Sequence, residues 1–292
     1  MTESVTASAP APIGPRLELK RTVHADDALI LVDFLHQHSG LSKQQLKDAA
    51  NKGAVLMRRA GSARRVRRAK TALRSGDRIE LHYDRDLLAL QPPVAHCIAD
   101  HGSYSLWYKP AGLLAQGNEF GDHCALTRQA ELAWTPPRQV WVIHRLDREA
   151  AGLMLLAHSK QAAAKLSQQF QHNQVQKQYR VQVLGNIGAV LGQQGRIDQA
   201  LDGKTALTDF HVLGWDAQTQ RSTLQVTIHT GRLHQIRRHF ADAGFPVIGD
   251  PRYGTGNKTA EGLRLVAVSL AFLCPQRRTQ VAFELAPEDI GF

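Results

Sequence analysis

A chain of 292 residues, 43% of them apolar, is long enough to hold one large domain or a smaller and a larger one, each with its own core. No apolar run approaches the roughly 18 residues that a membrane-spanning helix needs, so that class of protein is excluded. Lys and Arg number 36 against 26 Asp and Glu, and the net charge of +10 favours a polyanionic partner, nucleic acid above all. The three cysteines, Cys97, Cys124 and Cys274, are far apart and form no C-x-x-C pair. That pattern argues against a disulfide framework or a zinc site and for a reducing compartment, the cytoplasm.

Met1 to Pro15 is rich in Ser, Ala, Pro and Thr and lacks the basic start and apolar stretch of a signal peptide, so it reads as a disordered tail. The run Ala28-Leu29-Ile30-Leu31-Val32-Asp33-Phe34-Leu35 reads as an amphipathic helix. Ser42 then caps a second helix, along which Leu41, Gln45, Leu46, Ala49 and Ala50 recur at helical spacing. Gly53 ends that helix and Ala54-Val55-Leu56-Met57 opens a strand.

From Arg58 to Arg78 nine basic residues (Arg58, Arg59, Arg64, Arg65, Arg67, Arg68, Lys70, Arg74 and Arg78) stand against Asp77 alone, which reads as a phosphate-binding loop. Arg64, Arg65, Arg67 and Arg68 are its candidate contacts. Ser75-Gly76-Asp77-Arg78 makes a turn into the alternating strand Ile79-Glu80-Leu81-His82-Tyr83. Residues 84–97, with Gln91-Pro92-Pro93, read as connecting chain. The expected bounds are therefore 16–86 for a small basic domain, 87–97 for a linker and 98–292 for a second domain.

Past the linker, strands mix with a few helices. Tyr104 to Tyr108 is a strand ended by the turn Lys109-Pro110-Ala111-Gly112. Val140 to Ile143 and Leu153 to Ala157 are two short apolar strands joined by a loop dense in charge. Within that loop Asp147 lies between Arg145 and Arg148, neighbours that favour its carboxylate form. A carboxylate fixed between buried strands can serve as nucleophile, base or metal ligand; a hairpin with a surface salt bridge is the plainer reading. Ser159 caps a helix over 160–172 that sets Leu166 and Phe170 on its inner face. Gln178 to Leu184, Gly203 to Trp215 and Ser222 to His229 read as further strands.

Arg232 to Ala241 reads as a helix closed by Gly244. Leu233, Ile236 and Phe240 follow i, i+3, i+7 spacing and are expected to face the core. Arg237 leans to the same side, and a buried arginine requires an acid partner. His234 and Arg238 form a wetter row, and Arg238 and His239 fit an exposed face or phosphate contact equally. The chain has no phosphate loop, dinucleotide fingerprint or His/Cys ligand cluster, so neither metal nor organic cofactor is expected. His144-Arg145-Leu146-Asp147 superficially suggests a protein kinase, but contiguous His-Arg-Asp, the downstream Asn and a glycine-rich loop are missing. A metal-dependent nuclease would need clustered carboxylates.

The N-terminal pattern of Ser42, Gly53-Ala54-Val55 and Gly76-Asp77-Arg78-Ile79 resembles the small alpha-L RNA-binding domain first seen in a ribosomal protein, with Met57-Arg58-Arg59-Ala60 replacing the usual x-V-N-G. Residues 98–292 resemble the pseudouridine synthases of the RluA type. The resemblance rests on Lys109-Pro110-Ala111-Gly112, His144-Arg145-Leu146-Asp147 with Gly152, Lys177-Gln178-Tyr179, Lys204-Thr205-Ala206-Leu207-Thr208, Gly231 to Arg237, and Gly249-Asp250-Pro251-Arg252-Tyr253-Gly254, in that order. Two departures stand out: Ala150-Ala151 where the family usually has Thr-Ser, and Leu233 where it has a small polar residue.

This resemblance implies an α+β fold: a catalytic domain built on a mixed, mainly antiparallel sheet, preceded by a small α/β RNA-binding domain. It implies an isomerase that converts uridines of structured RNA to pseudouridine without a cofactor, with Asp147 as nucleophile on a flipped uridine. Arg145 would hold or replace the extruded nucleotide, Tyr179 would stack on the base and take the C5 proton, and Arg237 would pair with Asp147. Ile236 would pack on the base, His144 would brace the loop, and Lys109 and Arg238 would touch RNA. Gly249, Asp250 and Tyr253 would form a structural turn. Ribosomal RNA is the expected substrate and the chain is taken as monomeric. The alternatives are a transfer-RNA synthase or a catalytically degenerate RNA-binding protein.

Overall fold

The computed structural model describes residues 15–292, so the tail expected over Met1–Pro15 lies outside the described residues except for its last member. The chain forms two compact units: a first that runs to Pro92 and takes in Gly117–Arg128, and a second made of Pro93–Gln116 and Gln129–Phe292.

The first unit contains β1 (Arg16–Thr22), α1 (Leu31–Ser39), α2 (Lys43–Asn51), β2 (Val55–Arg59), β3 (Ser62–Arg65), β4 (Arg78–Asp84) and α3 (Arg85–Ala89). Its sheet is antiparallel in the order β1-β4-β2-β3. The core is Phe34, Leu35, Leu46 and Ala49 from the helices against Val55, Met57, Ile79 and Leu81 from the sheet. Ser42 closes a reciprocal capping box with Gln45, which fixes where α2 begins.

The sequence reading differs from this unit in three places. The first helix starts at Leu31, not Ala28, because Leu29 and Ile30 are held extended by 71–73: Ile30 bridges Ala72, and Leu73 N–H donates to the Leu29 carbonyl at 2.8 Å. The basic stretch opens as a hairpin rather than a loop. β2 and β3 pair through Arg59 and Ser62, and the two turn residues Ala60 and Gly61 both have positive φ, the backbone that a two-residue hairpin needs. The stretch expected as linker carries α3, capped by Asp84, and its last residues enter a strand.

The second unit contains β5 (His96–Asp100), β6 (Tyr104–Lys109), β7 (Trp141–Val142), β8 (Ala151–Ala157), α5 (Lys160–Gln171), β9 (Gln176–Leu184), α6 (Ile187–Leu191), β10 (Gln194–Ile197), β11 (Thr208–Asp216), β12 (Arg221–Ile228), α7 (Gln235–Asp242), β13 (Leu265–Leu273), β14 (Gln280–Glu284) and α8 (Pro287–Ile290). Helix α4 (Leu126–Leu132) straddles the division in sequence between the two units. A 10-stranded sheet runs β10-β11-β12-β9-β13-β8-β6-β5, with β14 beside β13 and β7 beside β8. Among the described strands only β8 and β13 pair in parallel, so the sheet is mixed and mainly antiparallel, as the sequence implied.

Both faces of the middle strands are covered. One face packs Tyr179, Val181, Val226 and Leu265 against Ile236 and Phe240 of α7, and the other packs Leu153, Leu155, Val266 and Leu270 against Ala162 and Leu166 of α5. Double burial explains why β8 and β13 read as continuous apolar runs, whereas β9 and β12 alternate. Gly152 sits where the two parallel strands meet, and a Cβ there would collide with the Ala267 backbone. Ala150 and Ala151, in place of the two hydroxyl residues, are buried one on each face.

Candidate active site

The loop between β7 and β8 presents Asp147, and α7 brings Arg237 up to it. Ile236 and Phe240 hold one side of α7 in the core, and Arg237 between them is only 1% exposed. Its Nη1 donates to Asp147 Oδ2 at 2.8 Å, while Nε and Nη2 donate to the two carboxylate oxygens of Asp250 at 2.7 and 2.8 Å. Burial opposes the guanidinium charge, but the hydrogen bonds to Asp250 and Asp147 outweigh it and hold the group above its ordinary value. Asp250 is completely buried, and the backbone N–H groups of Arg252 and Tyr253 also donate to it. Despite burial, these four donors keep its carboxyl below the usual range.

Asp147 is thus partnered across 90 residues of sequence, not by its neighbours. Among the described residues neither Arg145 nor Arg148 makes an ion pair with it; Arg148 turns to Glu149 at 3.4 Å, and Arg145 is exposed. On its other oxygen Asp147 meets His234 Nε2 at 3.6 Å. His234 caps α7 in the left-handed region and shares a 2.8 Å hydrogen bond between Nδ1 and the Tyr253 hydroxyl. Asp250, His234 and Tyr253 are the members that sequence reasoning missed or read as turn and surface. The signal for Asp250 was available: a buried arginine with five donors needs more acceptor than one carboxylate supplies.

Helix α7 begins at Gln235, three residues later than its apolar spacing predicts. The Gln235 side chain is buried and replaces the missing turn. Its amide donates to the Leu207 carbonyl and Thr208 hydroxyl, and its carbonyl accepts from the Thr230 hydroxyl and Arg232 N–H. Leu233 therefore lies outside the helix and is 61% exposed, contrary to its expected place in the core. His239 is fully buried between Thr208 and the Gln199 carbonyl, so neither of the two roles weighed for it applies. Arg238 forms a two-pronged pair with Asp202 at 2.9 and 3.0 Å and does not line the cleft.

A cleft of about 840 Å³ opens over this pair. Asp147, Arg145, Tyr179, Ile236 and Arg237 all line it, and its walls carry six Lys or Arg side chains against two carboxylates, Asp147 and Glu149. Tyr179 comes from the buried face of β9. Burial, and then the charge of Asp147, push its phenol above the ordinary value and keep it protonated. That state suits packing against a base and not removal of the C5 proton, the role first expected for it. His144 braces the loop from below: its Nε2 accepts the Leu155 N–H at 2.9 Å and its ring stacks on Phe170. Burial holds this imidazole neutral, down to about 3.

Lys109 is not an RNA contact. It is fully buried and its ammonium donates to the carbonyls of Pro110, Leu113 and Arg148, tying the turn after β6 to the Asp147 loop. Burial pushes it down to about 7. The basic segment of the first unit divides in the same way. Arg58 and Arg78 pair with Glu80, Arg59 with Asp77, and Arg65 and Arg67 with Asp122, whereas Arg64, Arg68, Lys70 and Arg74 are exposed and make no ion pair among the described residues. No cluster of three or more His, Cys, Asp or Glu among the described residues is arranged to hold a metal ion.

Comparison with known proteins converges on one chemistry. The family profile described as RNA pseudouridylate synthase matches residues 103–242. An uncharacterized RNA pseudouridine synthase of Aquifex aeolicus is 30% identical over 277 residues, 84% of this chain and 85% of that protein. Ribosomal large subunit pseudouridine synthase D of Pseudomonas aeruginosa is 34% identical over 161 residues, and the match spans 50% of this chain and 49% of that one. Among solved structures, human RNA pseudouridylate synthase domain containing 1 shares the fold, with a TM-score of 0.56 at 21% identity over 68% of this chain and 86% of that one.

Proposed function

The chain belongs to the RluA-type RNA pseudouridylate synthase family, and on that premise we propose that it isomerises specific uridines of structured ribosomal RNA with Asp147 as nucleophile. The observation that carries the role of Asp147 is its ion pair with the buried Arg237, itself anchored by Asp250, at the floor of a basic cleft. A carboxylate so held keeps its aim on one reacting atom without reorganising.

The reaction is a net isomerisation. The C1′–N1 bond breaks and a C1′–C5 bond forms; C5 loses a proton and N1 gains one. Asp147 attacks the ribose C1′ or the uracil C6, which frees the base to rotate. A uridine inside a duplex must leave the stack first, at a cost of a few kcal/mol. Arg145, exposed at the rim, fills the vacated space or holds the extruded nucleotide, while Tyr179 and Ile236 pack on the base. Once the Asp147 bond breaks, its freed carboxylate is available in the cleft to take the C5 proton. The exposed Arg64 and Arg68 contribute phosphate contacts from the alpha-L-like unit.

Ribosomal RNA is favoured by the relatives named for the large subunit and by this first unit. The cytoplasm is the compartment we assign, in keeping with three free cysteines. Mapping pseudouridines in ribosomal and transfer RNA from cells with and without the protein tests the reading. The expected result is loss of one or a few pseudouridines from large-subunit RNA. An unchanged map overturns the function, and loss confined to transfer RNA overturns the substrate.

A further inference from the structure

Lys177 is a cation inside the cleft that the reaction as described does not use. It stands two residues before Tyr179 on β9, on the same buried face, so the two side chains project side by side about 7 Å apart. It is 6% exposed and lines the cleft, yet it makes no hydrogen bond or ion pair with any described residue. The two carboxylates that line the cleft are engaged elsewhere: Asp147 with Arg237, and Glu149 with Arg148. His144, which feels the Lys177 charge, is held neutral, and the remaining cations of the cleft lining are all arginines. Burial pushes the Lys177 ammonium below its ordinary value, since nothing in the protein compensates the loss of water.

A buried charge without a counter-ion is a standing cost to the fold, and an anion arriving in the cleft removes it. We propose that Lys177 binds a backbone phosphate of the RNA, at the nucleotide stacked on Tyr179 or its immediate neighbour, and so fixes the position of the target uridine along β9. The proposal rests on the pseudouridine-synthase reading of this cleft. A lysine suits the task because it acts as a point charge and tolerates the range of phosphate positions met as the sugar moves. Lys177 is a positioning residue here; it takes no part in making or breaking bonds.

The test compares wild type, Lys177→Met and Lys177→Arg on large-subunit ribosomal RNA from cells lacking the protein, with phosphate-ethylation interference of pseudouridine formation as the second readout. The expected result for Lys177→Met is a KM raised about tenfold with kcat within threefold, which corresponds to roughly one phosphate contact. Wild-type interference is expected to include one phosphate within a nucleotide of the modified uridine, and that signal alone disappears in Lys177→Met. Lys177→Arg recovers KM to within threefold. Lys177→Met also melts at the same or a higher temperature, because an uncompensated buried charge has gone.

An unaltered interference pattern, a loss of kcat at constant KM, or a lower melting temperature each overturns the phosphate role. If wild type itself forms no pseudouridine in any RNA, it is the underlying reading of the cleft that fails.

Discussion

The floor of the cleft and the basic hairpin of the first unit both concentrate arginine, but they use it oppositely. Arg237 is buried, and three of its nitrogens are committed to two carboxylates. Arg64 and Arg68 are exposed and committed to nothing in the described protein. In the first region each charge depends on the others, because low exposure magnifies both the attraction and the penalty of an orphaned partner. In the second, each charge acts nearly alone through a screened, additive field. Substitutions in the two regions should therefore differ in size, in coupling and in response to salt.

The largest expected effect is that of Arg237→Met. It strands the fully buried Asp250 and frees Asp147, so it should remove activity and cost about 3–5 kcal/mol of stability. Urea unfolding together with a tritium-release assay on 5-tritiated uridine RNA checks both. A stable Arg237→Met variant with good activity would show that the buried pair is not the support of the site. Asp250→Asn keeps the shape and loses one charge, and is expected to fall between Arg237→Met and wild type, at about 1–3 kcal/mol.

A smaller effect belongs to His144. Its imidazole has a value of about 3 in the folded chain against 6.5 as the ordinary value. The unfolded chain therefore binds the extra proton between those limits, and stability falls as pH drops from about 6.5 toward 3. His144→Asn should flatten that part of the acid-unfolding profile; an unchanged slope would mean that His144 is not held neutral.

The smallest effects are in the hairpin. Arg64→Ala and Arg68→Ala should leave the melting temperature unchanged and each reduce the slope of log affinity against log salt by about 0.7–0.9. Arg67→Ala should do the reverse, since its partner Asp122 is largely buried: lower stability with little change in the salt slope. If both kinds of variant behave alike, the division of the hairpin into paired and free cations is wrong.

That division marks the limit of what the sequence displays. Nine cations against Asp77 look uniform in the chain, because the acids that neutralise five of them, Asp77, Glu80 and Asp122, lie up to 55 residues away. Local signals were more legible. The Ser42 and Ser159 caps fixed helix starts, and the run from Gln178 to Leu184 was legible as a strand with Tyr179 near its start. The spacing of Ile236 and Phe240 showed that Arg237 must be buried and must find an acid. Its five donors called for more acceptor than one carboxylate supplies, but not for Asp250 by name, since that residue looks like part of a turn until the loop folds back. Leu233 fits the same spacing and fails because the Gln235 side chain, not another helical turn, caps α7. The first strand, Arg16–Thr22, went unread for a related reason: its alternation is blurred by charge, and only its pairing with β4 defines it.

The central claim is that the Asp147 carboxylate performs the chemistry while its surroundings hold it in place. Asp147→Asn preserves size and can still accept the Arg237 hydrogen bond, so it separates reactivity from architecture. With 5-tritiated uridine in ribosomal RNA as substrate, the expected result is no detectable tritium release, with RNA affinity within threefold of wild type and an unchanged melting temperature. Tritium release at or near the wild-type rate would contradict the account.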